Sequence, residues 1–483
     1  MRKGLSIKTV LFYLGGLLII LSISMLFPLG WSLYYGENPR PLLLSILISA
    51  AAGSAIIFLC RERGIIRYRE AFALVTFSWI TAAIFGSLPY LLSGVLVNPA
   101  DAIFETVSGF TTTGASVIAD VESIPRGILF WRSMTHWLGG MGIIVLIVAL
   151  LSQLGVGGNL VFRAEVPGAI EEKLTPRVKE TARILWLTYL ALSALETILL
   201  MFAGMDFFDA LCHTFGTVAT GGFSTKNQSV GAYASPAIEW IIIVFMLLSG
   251  ANFALYYRAL NRRNLLVFWK DSEFKFYLGI LITASLVISA ILGRSLPAGE
   301  ALLRTAAFQV VSIMTTTGFA TADFACWPVT AQLILLFLMF IGGCSGSTGG
   351  AIKVGRILLL TKQSFLELKR LIHPRGIFSI SYCQRNISET VLINVLQFFF
   401  FYLVIYALSS LLLCFFENDC LLSFSAVAAT FGNVGPGLGA VGPASNYSAL
   451  SNLSKILLSF LMLLGRLEIY TVLVLFSPAF WKS

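Results

Sequence analysis

A chain of 483 residues with 57% hydrophobic and only 12% charged residues cannot cover a water-facing surface, because soluble proteins carry about 25% charged residues. That excludes an ordinary soluble enzyme and a disordered chain, and it points to an all-α polytopic membrane protein. The net charge of +9 is dispersed over short loops and not gathered in one stripe, so the balance argues against nucleic acid as a partner.

Ten apolar runs are long enough to cross a bilayer: 9–35, 41–60, 71–94, 129–153, 182–204, 237–260, 275–293, 330–361, 390–416 and 453–477. Each supplies the roughly 20 residues a spanning helix needs. The first follows a basic segment, as a signal peptide would, but it is too long for one and no small-residue cleavage site follows, so it is expected to be retained. Loops on the N-terminal side hold Lys8, Arg61, Arg67, Lys173, Arg177, Arg258, Arg263, Lys362, Arg370, Arg375 and further basic residues. The other side has only Arg40, Arg126, Arg132, Lys226, Arg294, Arg304 and Lys455. The asymmetry predicts that both termini are cytoplasmic. Acids on the opposite side, among them Glu37, Asp101, Glu105, Asp120, Glu122, Asp206, Asp209, Glu300, Asp323, Glu417 and Asp419, form either a cation-attracting vestibule or ordinary solvated loops. The seven cysteines are scattered without metal-ligand spacing and are expected to be small buried hydrophobes, a Cys326–Cys420 bridge being the alternative.

Between alternate pairs of spans lie segments too long for a turn and too short to cross. Phe104 to Gly114 reads Phe-Glu-Thr-Val-Ser-Gly-Phe-Thr-Thr-Thr-Gly, and Phe308 to Gly318 reads Phe-Gln-Val-Val-Ser-Ile-Met-Thr-Thr-Thr-Gly, identical at seven of eleven positions. Asp209 precedes Gly222 by thirteen residues, as Asp101 precedes Gly114, and a fourth segment runs Ala428 to Gly437. This is an internal repeat of about 100 residues. It divides the chain into two extra spans (1–66) and four repeats, 67–155, 156–265, 266–380 and 381–483, the third with a broken second helix. Each segment predicts a half-membrane helix followed by Thr/Gly-rich chain, which survives at membrane depth only where protein buries it or a wet cavity receives it. Four such segments around an axis present rings of carbonyls, and such rings replace a potassium ion's hydration shell. The filter candidates are Thr112, Thr113 and Gly114; Thr220, Gly221 and Gly222; Thr316, Thr317 and Gly318; and Asn433, Val434 and Gly435. The alternative is four re-entrant loops with structural glycines only.

The eighth run is broken at Gly342, Gly343, Cys344, Ser345, Gly346, Ser347, Thr348, Gly349 and Gly350, where five glycines in nine residues rule out a stable helix. The break is expected just under the filter as a flexible plug, or as a simple hinge. Arg466, about thirteen residues into the last span, is costly at that depth unless it meets water, an acid or carbonyls. It is expected to face the pore or the glycine loop as a barrier to cations, or to pair with a buried acid such as Glu196. Lys353 and Arg356 are expected to snorkel to the interface.

With these segments, Ile341 to Gly350, Lys353, and Gly465-Arg466-Leu467-Glu468, nearly the whole chain resembles the Trk/Ktr/HKT superfamily of potassium transporters, specifically the Trk-type membrane subunit. The two extra spans fit that type. The resemblance implies four pseudo-symmetric helix–pore loop–helix repeats around a central pore, potassium as substrate with no cofactor, and an intramembrane gating loop. It also implies a homodimer in the lipid of the bacterial cytoplasmic (inner) membrane and a cytosolic nucleotide-binding regulatory subunit. The fourth segment lacks Thr-Gly, a divergence also found in the family.

Gly343-Cys344-Ser345-Gly346 matches an intramembrane serine-protease motif, but none of the histidines is placed to activate Ser345: His136 is expected near an outer helix end, His213 in a pore helix and His373 in a cytoplasmic loop. The chain is therefore not expected to be an enzyme, and because no nucleotide-binding fingerprint is evident, any nucleotide control is expected to come from a partner. Two transport classes remain: a pore driven by membrane potential, and a symporter coupled to protons or sodium, for which Glu196 is the clear candidate acid.

Overall fold

The computed structural model describes residues 5–60, 66–142, 178–293, 299–376, 378–383 and 385–481. It is built almost wholly of helices, as a chain must be that satisfies its peptide groups without water. Among the described residues, six helices are long and apolar enough to cross a membrane, or up to eight if each of two bent pairs counts as one span. The ten predicted runs map onto these and two shorter pieces. Arg126–Gly140 starts the run 129–153, whose remainder lies outside the described residues, and Val329–Leu338 starts the run 330–361.

The first span, Ile7–Tyr34, is two helices hinged at Met25. Pro28 lacks the N–H that would reach the Ser24 carbonyl, which accounts for the break. It packs against Arg40–Leu59 through Gly15 and Gly53. A Cβ on either glycine would stand 2.8 Å from the other's carbonyl oxygen, so the small residues allow the backbones to touch. Buried Glu70 accepts from the Ser6 and Arg67 N–H groups, tying the first span to the start of Tyr68–Ser93.

Each repeat then has a leading helix, a short pore helix and a trailing helix. The leading helices are Tyr68–Ser93, Val178–Phe202, Ser272–Leu292 and Glu389–Glu417. The pore helices are Pro99–Phe110, Phe207–Val218, Glu300–Met314 and Cys420–Phe431. Asn98, Asp206 and Asp419 cap three of them, each side chain accepting a backbone N–H of the first turn. The trailing helices start at Arg126, Pro236, Val329 and Asn452. They pack in cyclic order. Asn452–Arg466 lies on the first pore helix, Arg126–Gly140 on the second and Pro236–Ser249 on the third. The Met339 carbonyl presses on Gly432 at the end of the fourth.

Two spans expected to be continuous are bent. Pro236–Ser249 turns 89° into Phe253–Asn261, and Asn452–Arg466 turns 110° into Tyr470–Phe476. The reason is tertiary: Gly250 gives its carbonyl to the Cys344 N–H of the glycine loop, and Asn252 caps the new helix at Ala254. In the last span, Glu468 and Ile469 adopt left-handed φ of 52° and 56°, a conformation no helix interior tolerates.

Filling the first helix crossing should loosen the N-terminal pair. Gly53→Leu is expected to destabilise by about 1–3 kcal/mol, read as a lower unfolding temperature in detergent. Gly16→Leu, with open space around its Cα, should leave that temperature unchanged.

Candidate functional site

All four pore helices end in the same backbone motif. The residue after each C-cap is left-handed: Thr112 (φ 54°), Thr220 (55°), Thr316 (60°) and Asn433 (54°). Its N–H bonds three residues back, to Gly109, Thr217, Ile313 and Thr430. The next N–H bonds five residues back: Thr113 to Ser108 (2.9 Å), Gly221 to Gly216 (2.7 Å), Thr317 to Ser312 (2.8 Å) and Val434 to Ala429 (2.7 Å). This is the Schellman closure, usually built on glycine at the left-handed position. Here three β-branched threonines and an asparagine occupy it, each at a strain of about 1–3 kcal/mol.

The third residue of each motif is a glycine at positive φ: Gly114 (83°), Gly222 (76°), Gly318 (82°) and Gly435 (102°). These glycines close a ring. A Cβ at Gly114 would overlap the Gly221 carbonyl, at Gly222 that of Thr317, at Gly318 that of Val434, and at Gly435 that of Thr113. Each repeat therefore seats its glycine on the peptide oxygen of the next, and the fourth returns to the first. The structure thus brings all twelve sequence-picked residues to one ring. The Thr, Asn and Val residues of the ring are buried.

Polar side chains inside the pore helices hold the chain that leaves the ring. Glu105 accepts from the Ser116 hydroxyl and the Val117 N–H (2.9 Å) and pairs with Arg132 at 2.7 Å. At the matching place in the second repeat, His213 meets the Ser224 hydroxyl at 2.9 Å. At that of the third, Gln309 lies against Thr321. Arg132 donates to the Ser224 carbonyl and stacks its guanidinium 3.5 Å from the Phe223 ring centre, which couples the first two repeats. His136 lies toward the Gly140 end of its helix and not at the outer end that starts at Arg126: it is buried behind Gly221 and stacked on Phe223. Much of the acidic face proves structural. Lys455 pairs with Asp101, Arg304 with Glu239 and Glu300, and Glu37 accepts from the Arg126 N–H. Sequence reasoning missed the Glu105–Arg132 pair, although the alignment of Glu105, His213 and Gln309 eight residues before the central filter position signalled a shared polar site.

Beneath the ring, on the side of the N-terminus, the helix Val329–Leu338 stops and residues 342–350 form a loop, after which Val354–Ile372 resumes. Ile341 and Ile352 close its neck as a parallel bridge. The loop touches the second, third and fourth repeats, and Arg466 links it to the first. Gly350 N–H donates to Thr316 Oγ1 (2.7 Å), and Thr348 Oγ1 donates to the carbonyls of Val218 and Ser249. Gly350 also packs on Gly432 and Asn433. Arg466 completes the set: it donates to the Thr348 carbonyl (2.7 Å), to Thr112 Oγ1 (3.1 Å) and to the carbonyls of Gly139 and Gly140. The loop is thus held on several sides rather than loose. Glu273, also missed from sequence, anchors its rim by accepting from the N–H groups of Ser345 (2.7 Å) and Gly355 (2.8 Å) and from the Tyr382 hydroxyl.

The expectations for Lys353, Arg356 and the cysteines change, and the alternatives left open for Arg466 narrow to the glycine loop. Lys353 and Arg356 do not snorkel: both are buried, Lys353 on the Gly349 carbonyl and Arg356 on Glu468 and the Phe398 ring. The packing of the bent last span brings Glu468 to Arg356 from across the protein. Arg466 is held by carbonyls and a hydroxyl in place of the acid Glu196. Cys420 has Cys414 as its sulfur neighbour, at 3.3 Å, and Cys326 lies on Asp323.

Four half-helices meeting at a closed backbone ring, above a tethered glycine loop, define a polytopic membrane transport protein built around a central pore. The TrkH family profile, described as cation transport protein, matches residues 42–483. The potassium uptake protein TrkH of the Trk system of Escherichia coli (strain K12) is 42% identical over 475 residues, covering 97% of this chain and 98% of that one. TrkH of Halomonas elongata is 41% identical over 486 residues, covering 99% and 100%. The crystal structure of the potassium transporter TrkH from Vibrio parahaemolyticus superposes with a TM-score of 0.89 at 39% identity, over 99% of this chain and all of that one. The chain belongs to the TrkH family of cation transport proteins, and it is a multi-pass membrane transporter and not an enzyme.

Removing one partner of the buried Glu105–Arg132 pair should leave an uncompensated charge. Glu105→Ala is expected to destabilise by about 3–5 kcal/mol, and the Glu105→Ala/Arg132→Ala double variant by less than the two single losses summed. Thermal unfolding of the three variants in detergent measures the coupling.

Proposed function

We propose that the chain takes up potassium across the bacterial cytoplasmic membrane through the ring formed by Thr112–Gly114, Thr220–Gly222, Thr316–Gly318 and Asn433–Gly435. The cyclic seating of four positive-φ glycines on four neighbouring carbonyls carries this reading. A ring of peptide oxygens replaces part of a cation's hydration shell at little reorganisation cost, because the oxygens are already fixed. The pore helices end at the ring, so their partial negative ends favour a cation there. The names of the relatives, potassium uptake proteins of the Trk system, agree with potassium as the substrate.

Residues 342–350 and Arg466 act as the gate in this reading. The guanidinium sits one hydroxyl below the ring, on Thr112, and on the loop itself at Thr348. A positive charge about 8 Å from a passing cation opposes it by about 2 kcal/mol at an effective dielectric of 20. Opening then means moving the loop and releasing Arg466 from its carbonyls. Both termini face the cytoplasm, where a nucleotide-binding regulatory subunit meets the chain, and two copies assemble as a homodimer with one pore each. The orientation is supported by the excess of Lys and Arg in the loops on the N-terminal side; the regulatory partner is supported by the relatives' membership of a named system. Coupled symport is the second reading, for which Glu196, an acid fully buried in a spanning helix, is the proton-binding candidate.

Two flux measurements on purified protein in liposomes, at a set potential and with competing cations, test the reading. Gly318→Ser should displace the Val434 carbonyl and lower the potassium-over-sodium ratio by about tenfold, the equivalent of 1.4 kcal/mol; an unchanged ratio would remove the ring from selectivity. Arg466→Ala should raise potassium flux several-fold if the barrier is electrostatic, whereas stoichiometric proton entry with potassium would favour symport.

A further inference from the structure

We propose that Cys414 and Cys420 form a disulfide that staples the turn leading into the fourth pore helix. The inference goes beyond the transport reading but rests on its orientation, which places this turn outside the cytoplasm, where disulfides persist.

The turn is built to bring the two sulfurs together. The leading helix Glu389–Glu417 ends at Asn418, which is left-handed (φ 53°) and donates its N–H to the Cys414 carbonyl at 2.9 Å. That reversal lets Asp419 cap the pore helix, its carboxylate accepting from the Leu422 N–H at 3.0 Å. Cys420 is therefore the first residue of the pore helix and Cys414 lies in the last turn of the preceding span. The sulfurs stand 3.3 Å apart, and reaching the ~2.05 Å of a bond needs a shift of about an ångström. Glu417 holds the turn in place by accepting from the Ser451 N–H and the Ser454 hydroxyl of the last span. Cys420 is exposed and Cys414 partly so, which admits an oxidant.

The oxidant is a disulfide-carrying oxidase of the compartment outside the membrane. The Cys420 thiolate attacks one sulfur of the carrier's disulfide and forms a mixed disulfide. The Cys414 thiolate then attacks the Cys420 sulfur and expels the carrier as a dithiol. The chain loses two protons and two electrons, and the carrier gains both. The product joins the end of a spanning helix to the start of a pore helix, so the fourth filter segment is fixed relative to its own leading helix.

Mass tagging reads the bond. Membranes from expressing cells are acid-quenched, and the denatured chain is tagged with a polymer-linked maleimide before or after dithiothreitol. The wild type should gain two tags on reduction, and Cys414→Ser, Cys420→Ser and the double variant should gain none. An equal number of tags before and after reduction in the wild type overturns the proposal. Orientation is read separately at Cys326, which is exposed beyond the third filter segment on the same face. A membrane-impermeant maleimide should label it in intact cells. Labelling only after permeabilisation overturns the orientation and the disulfide together. Labelling of Cys326 with equal tag numbers at the pair leaves the transport reading standing and removes the disulfide alone.

Discussion

A peptide group that leaves a helix inside a bilayer must find its partner within the protein. Here four helices stop half-way across, and the rest of the architecture answers to that constraint. Each end is first closed on itself by a Schellman motif, then closed on its neighbour by a glycine that no side chain could replace. No single repeat completes the second closure. The ring exists only when four repeats face one another, so the site needs all four.

The strain in that ring is matched by tethers. The left-handed Thr112 accepts from Arg466, Thr316 from the Gly350 N–H, and Asn433 donates to Thr113 and to the Met462 carbonyl. Two of the residues that carry the unfavourable backbone, Thr112 and Thr316, thus reach down to Arg466 and the glycine loop. A displacement of the loop would be felt at the ring through these two hydrogen bonds, without passing through the helices. Thr220 instead spends its hydroxyl on the adjacent Ala219 carbonyl.

Buried charge is divided between the two sides of the ring. On one side Glu105 and Arg132 form a matched pair that binds the first repeat to the second. On the other, Lys353, Arg356 and Arg466 meet Glu468 and a set of carbonyls. Buried pairs contribute little net stability, but breaking one is costly, so they hold a particular arrangement. The cationic cluster holds the glycine loop and the bent last span in one arrangement, while the neutral pair above leaves the ring's own dipoles as the local field.

Much of this was legible in the chain. Apolar runs of about 20 residues mark helices because lipid admits little else, and the repeated Thr-Thr-Thr-Gly with its partners picked out the twelve ring residues, because left-handed backbone and close approach leave few residue types to choose from. The nine-residue glycine-rich break was equally visible, since no helix carries it. What stayed hidden depends on partners distant in sequence. Nothing local shows that the sixth span must bend at Gly250 to give a carbonyl to Cys344, or that Glu468 leaves its helix to meet Arg356. Hydropathy assigned Lys353 and Arg356 to the interface because it counts a residue's own cost of burial, while Lys353 is met by the Gly349 carbonyl of the folded loop and Arg356 by Glu468 and Phe398, which arrive only when the fourth repeat folds over the third. His136, which stacks on Phe223, follows the same logic: composition and spacing determined the elements and the ring's residues, and the tertiary structure alone decided which charges and carbonyls meet, because those contacts are between segments that chain order keeps apart.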